Sequence, residues 1–146
     1  MIVYAIEDIQ AAILAALKVS DLNGLCEKVD HYEGQIEDLL SRLEQTPIVR
    51  PQALVLYQGS TFTGSGSNPY LDEQTFSVML IVKDLRGGND LKTSMNALVE
   101  AAKTALVDQQ FGLDISPMVP VRIQAVKVTR TYSVFRFDVK TIFEMA

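Results

Sequence analysis

The final stretch TYSVFRFDVKTIFEM, Thr131 to Met145, constrains most tightly what this chain can fold into. Phe135, Phe137, Val139 and Phe143 fall on one face of an extended strand, and Arg136, Asp138 and Lys140 on the other. A period of two cannot be laid on a helix, whose repeat is about 3.6 residues. Nor can a lone strand bury a row of large apolar side chains, so the segment demands neighbouring strands and a layer over its apolar face. The charged face is expected to meet solvent, the usual arrangement in an antiparallel sheet, with a polar interface as the alternative.

The rest of the chain supplies both partners. Ile6, Ile9, Ile13, Leu14 and Leu17 recur at helical spacing, which predicts a helix from Tyr4 to Val19 stopped by the Asn-Gly turn of DLNG, Asp21 to Gly24. LCEKVDHY predicts a short strand. Ile36, Leu39, Leu40 and Leu43 predict a second helix ending before Pro47. ALVLYQG, Ala53 to Gly59, is a buried strand between Pro and Gly. EQTFSVMLIVKDL is a second, with Phe76, Val78, Leu80 and Val82 on one face and Met79 and Ile81 on the other, hence covered on both sides. Between them Thr61–Asp72 is expected to be a long mobile loop around Gly-Ser-Gly-Ser.

Leu91, Met95, Leu98, Ala102 and Leu106 mark a third helix, and a loop with two prolines follows. VRIQAVKV changes phase near Ala125-Val126, a bulge signal, and forms a hairpin with the last strand by turning at Thr129–Thr131. The fold class is α+β: one domain over residues 1–146, a largely antiparallel sheet and about three helices packed mainly on one face.

Composition narrows the function. A net charge of −5, from 18 acids against 13 bases, argues against a domain that wraps nucleic acid, whose phosphates call for clustered Lys and Arg. The single cysteine, Cys26, permits no internal disulfide and fits a reducing compartment. The apolar N-terminus lacks a basic leader and is interrupted by Glu7, Asp8 and Gln10, so no signal peptide is expected. No segment reaches the roughly 20 apolar residues of a membrane span.

Candidate chemistry is thin. VKDLRGGND has the strand–glycine–helix order of a phosphate loop but neither Gly-rich fingerprint, and the Asp90 carboxylate would occupy the anion's place. Arg86, Gly87, Gly88 and Asp90 are therefore read as an architectural turn. The glycines permit positive φ and Asn89 or Asp90 caps the helix. Cys26 and His31 alternate to opposite faces if both lie on one strand, and one Cys with one His cannot make up a zinc ligand set. Cys26 is read as a small buried residue and His31 as a surface or edge residue. No catalytic residue, cofactor or metal is expected. Phe62 and Tyr70, at the two ends of the long loop, are the candidate interface aromatics.

Several pieces, in this order, carry a family resemblance: IEDIQAAILAAL, YEG before a helix, ALVLYQGSTF, VKDLRGGND and TYSVFRFDVKTIFE. Together they resemble the small tail proteins of Mu-like phages and prophages, regarded as tail-terminator or tail-completion proteins. The resemblance implies a small α+β subunit that assembles with itself into a hexameric ring, in which Arg86 is a candidate contact to the neighbouring subunit. Such a ring caps the tail tube at its final length and presents a surface to the head-connector protein. It implies residence in the host cytoplasm during assembly and in the virion tail afterwards. It implies no membrane and no sequence-specific nucleic acid. Two alternatives stay open: a small cytoplasmic enzyme or ligand-binding protein with a pocket between helices and sheet, and a prophage remnant without present function.

Overall fold

The structure, a computed structural model, describes residues 4–45, 50–64, 70–83, 88–129 and 132–144, with backbone alone over 88–94 and at 144. The elements in chain order are α1 (Ile6–Lys18), α2 (Leu22–Leu25), β1 (Lys28–His31), α3 (Ile36–Gln45), β2 (Gln52–Thr63), β3 (Leu71–Lys83), α4 (Gly88–Leu106), β4 (Val119–Val128) and β5 (Tyr132–Glu144). The five strands form one sheet in the order β1-β2-β3-β5-β4. Only the β1–β2 pair is parallel, and the other pairs are antiparallel. The expected α+β class and largely antiparallel sheet hold, with four helices where about three were expected.

Alternation on β3 explains why the sheet is covered on both faces. Phe76, Val78, Leu80 and Val82 join Ile9, Ile13 and Leu17 of α1, Leu22 of α2, and Leu98, Ala102 and Leu106 of α4 in one core. Met79 and Ile81, pointing the other way, join Leu39 and Leu43 of α3 in a second core with Leu54, Leu56, Tyr132 and Val134. Each fully buried Leu or Ile contributes about 1.5–3 kcal/mol, so neither face is stable if stripped of its helix. The two-faced reading of β3 thus places α3 opposite the other helices, and the sheet is not a single-sided layer.

Two local expectations need correction and a third holds. The helix predicted to Val19 ends at Lys18, and Asn23 and Gly24 lie within the extra turn of helix α2. Ser20 connects the two, its Oγ donating to the Leu17 carbonyl at 2.6 Å and accepting from the Leu22 N–H at 3.2 Å. The segment Thr61–Asp72 is not loop throughout. Thr61, Phe62 and Thr63 pair with Glu73, Asp72 and Leu71, so both strands run on into a hairpin whose residues 65–69 lie outside the described ones. Strand β5 supports this extension from the far side, with Phe143 opposite Asp72 and Ile142 opposite Glu73. The expected bulge at Ala125-Val126 is present, since the β4–β5 register shifts between Ala125 and Lys127 and again between Pro120 and Arg122.

The connection from α4 to β4 is ordered by backbone geometry and by one serine. Asp108, Phe111 and Gly112 take positive φ, and Ile115 and Met118 are buried. Ser116 behaves as an extra rung on β5, donating its N–H to the Ile142 carbonyl at 3.0 Å and accepting the Ile142 N–H at its Oγ at 2.8 Å. Tyr4 locks the same end: its hydroxyl accepts the Asp114 N–H at 2.7 Å and its ring meets Phe143 edge-on at 5.9 Å.

Candidate interaction surface

The β2–β3 hairpin gives its side chains little cover. Phe62 is 56% exposed and Tyr70 52%, with exposed Leu71 beside them. A bulge precedes Phe62 on β2: the register shifts between Tyr57 and Gly59, and Gly59 holds φ 135°, where side-chain-bearing residues are rare. Below the aromatic tip, Asp72 and Gln74 are buried, and the Gln74 Nε2 donates to Asp72 Oδ2 at 3.1 Å. Their other oxygens, Asp72 Oδ1 and Gln74 Oε1, are buried without a hydrogen bond among the described residues. Phe62 stands on β2 opposite Asp72 and Tyr70 directly precedes β3, so both flank the hairpin end of the sheet.

The Arg-Gly-Gly turn is only partly visible. Arg86 and Gly87 lie outside the described residues. Helix α4 opens at Gly88, which sets Asp90 in its first turn. Asn89 and Asp90, expected to cap the helix, thus stand inside it and not at its N-cap position.

Sequence reasoning missed a buried charge. Asp138, expected on a solvent-facing row, is 1% exposed. Arg122 Nε donates to its carboxylate at 2.7 Å and Arg136 Nε at 3.0 Å, and the Ser77 hydroxyl donates as well. Arg136 adds a second contact through Nη2 at 3.0 Å. Burial pushes the Asp138 carboxyl up, but the hydrogen bonds from Ser77, Arg136 and Arg122 outweigh it and hold the group below the usual carboxylate range. The cluster ties β3, β5 and β4 together. Lys140 stays half-exposed on the same row and pairs with Glu73 at 3.5 Å. Alternation identified the row's face correctly but could not show that two arginines would close over its middle.

Cys26 follows α2 and packs against the first core, and burial pushes its thiol up to about 11. His31 ends β1 at the sheet edge, its ring nitrogens 3.2 Å from Asp30 and 3.6 Å from Glu33. A groove of about 570 Å³ between this edge and α3 is lined by His31, Tyr32, Asp38 and Arg42. There the Arg42 guanidinium sits over the Tyr32 ring, 5.7 Å from its centre. Among the described residues no three His, Cys, Asp or Glu side chains gather at metal-binding distance, and no helix is long and apolar enough to cross a membrane.

No curated protein matches the chain. The family model described as Bacteriophage Mu, Gp37 matches residues 5–144, from the start of α1 to the last residue of β5. The chain therefore belongs to the Bacteriophage Mu Gp37 family and is a structural protein of a Mu-like phage.

Proposed function

We propose that this protein is a tail terminator: copies assemble into a ring that caps the tail tube and joins it to the head-connector protein. The family match over nearly the whole chain carries the reading. The surface supports it, because the chain displays apolar strand and hairpin residues at its periphery. Val119, Val121, Ile123 and Val128 are exposed on β4, and Phe62, Tyr70 and Leu71 on the hairpin. Such residues on a small domain mark contact with other proteins. The hairpin tip is assigned to the tube or connector, with Phe62 and Tyr70 as its anchors. The protein acts by assembly, without a cofactor and without catalysis, in the host cytoplasm and then in the virion tail.

The test is capping of purified tail tubes followed by electron microscopy. Added protein should appear as density at one tube end and fix a uniform tail length. Phe62→Ser with Tyr70→Ser should leave the melting temperature within a few degrees, because both rings are half-exposed. Capping should fall at least about tenfold, the loss of two aromatic anchors. Normal capping by the doubly substituted protein would remove the hairpin from the interface.

A further inference from the structure

Two rungs at the hairpin end of the sheet hold buried acceptors that no donor reaches. Residues paired across neighbouring strands point to the same face. One rung runs Phe62, Asp72, Phe143 across β2, β3 and β5, and another runs Ser60, Gln74, Thr141. A carboxylate thus stands between two phenyl-bearing residues, with an amide beside it. Asp72 is 8% exposed and Gln74 2%, and the bond from Gln74 Nε2 to Asp72 Oδ2 at 3.1 Å leaves Gln74 Oε1 on its free side. Asp72 Oδ1 and Gln74 Oε1 have no donor among the described residues. The hydroxyls of the second rung are engaged elsewhere, Ser60 with Tyr57 and Thr141 with the Ser116 carbonyl at 2.7 Å. Lys140 of β5 turns to the opposite face and pairs with Glu73 at 3.5 Å. A buried carboxylate with an open oxygen costs stability, because the charge has lost water and gained no cation.

We propose that Asp72 and Gln74 are the receptor for an arginine side chain of the protein that meets the hairpin. A guanidinium carries its N–H donors in a flat fork, and can donate to the Asp72 carboxylate and the Gln74 carbonyl together. Its planar cation also suits the flanking phenyl faces of Phe62 and Phe143. A metal ion suits them less, since calcium gathers about six to eight oxygens and phenyl rings supply none. Phe62, 56% exposed and so held by little packing, is the side chain that turns aside to admit the guanidinium. Exposed Tyr70 and Leu71 at the same end supply apolar contact around the charge. The site deepens the proposed contact of the hairpin with tube or connector and rests on that reading for the partner's identity, whereas its chemistry can be tested on the isolated chain.

The probe is Nα-acetyl-arginine amide, titrated into the full chain and followed by the amide NMR signals of Phe62, Asp72 and Gln74. Nα-acetyl-citrulline amide, similar in shape but uncharged, and calcium chloride are the controls. The arginine probe should shift these signals and saturate. Citrulline should bind at least about tenfold more weakly, and so should arginine to Asp72→Asn, each lacking the charge-assisted hydrogen bond. Asp72→Asn should melt no lower than the parent and up to a few degrees higher, since it gives up an unmatched buried charge. Its capping of tail tubes should fall at least about tenfold. Equal binding of arginine and citrulline, saturation of these signals by calcium, or the absence of any saturable shift would each overturn the site. So would normal capping by Asp72→Asn, or a melting temperature several degrees below the parent's, which would mean that the carboxylate already has its partner within the chain. A parent chain that binds the arginine probe yet leaves tubes uncapped would uphold the site and defeat the tail-terminator reading.

Discussion

Asp138 shows how one residue converts a surface row into a structural joint. Its carboxylate receives hydrogen bonds from Ser77 on β3, Arg136 on its own strand and Arg122 on the edge strand. Breaking a buried ion pair from one side leaves the other charges stranded, at a cost of about 3–5 kcal/mol when burial is complete. Arg122 is half-exposed and can turn to water, so Asp138→Asn should cost less, about 2–3 kcal/mol in urea unfolding at neutral pH. The pH sign follows from the depressed carboxyl. Its stabilisation is fully present above the unfolded range near pH 4 and is lost as pH falls through the lower folded value. The gap between parent and Asp138→Asn should therefore shrink on acidification below about pH 4. A gap that stays constant down to pH 2 would mean the carboxylate's charge is not the source. Cys26 offers a second check at this scale. With its thiol pushed up from 9.0 to about 11, the thiolate fraction near neutral pH drops about 100-fold. Alkylation by iodoacetamide should be correspondingly slow in the folded chain and fast in urea.

Among the elements, the β2–β3 hairpin departs furthest from what its sequence suggests. Thr61, Phe62 and Thr63 read as the start of a loop because Gly and Ser crowd in after them, yet they continue the ladder against Glu73, Asp72 and Leu71. Propensity favours the strand here, since Thr and Phe suit a pleated surface, but polarity hid it. Pairing with β5 decides the matter, and that contact is remote in sequence. The bulge at Gly59 sets the path of the extension. A Cβ at Gly59 would meet nothing within 4 Å, so any cost of substitution comes from the backbone alone. Gly59→Val should destabilise by about 1–3 kcal/mol through its positive φ. A neutral Gly59→Val in thermal melting would show that the bulge can relax. By contrast, the bulge at Ala125-Val126 was legible, because a phase change in alternation is itself a sequence feature.

At the scale of the whole molecule, the fold turns on β3, the middle strand of the sheet. Its segment Phe76–Val82 is buried throughout, with side chains feeding the two cores in alternation. That alternation made the fold class legible, since apolar residues on both faces require a layer on each. The parallel docking of β1 on β2 was not legible, because four residues carry no signal of their direction. The closure of arginines over Asp138 was hidden too, as it joins positions on three strands. Architecture of this kind predicts a gradient of stability from the centre outward. Amides of β3 from Ser77 to Ile81 pair on both sides, with β2 and with β5, and open only when the sheet comes apart. Strand β4 pairs on one side only, and its residues from Val119 to Ala125 are exposed. Hydrogen exchange on the isolated chain should therefore be slowest across Ser77–Ile81 and much faster on β4. Within β4 the amides turned toward β5 should be protected and the outward ones should exchange near the rate of free peptide. Uniform protection along β4 in dilute solution would show that its outer side is already paired. Exchange in the middle of β3 as fast as at the edges would mean that the two cores do not hold the sheet as one cooperative unit.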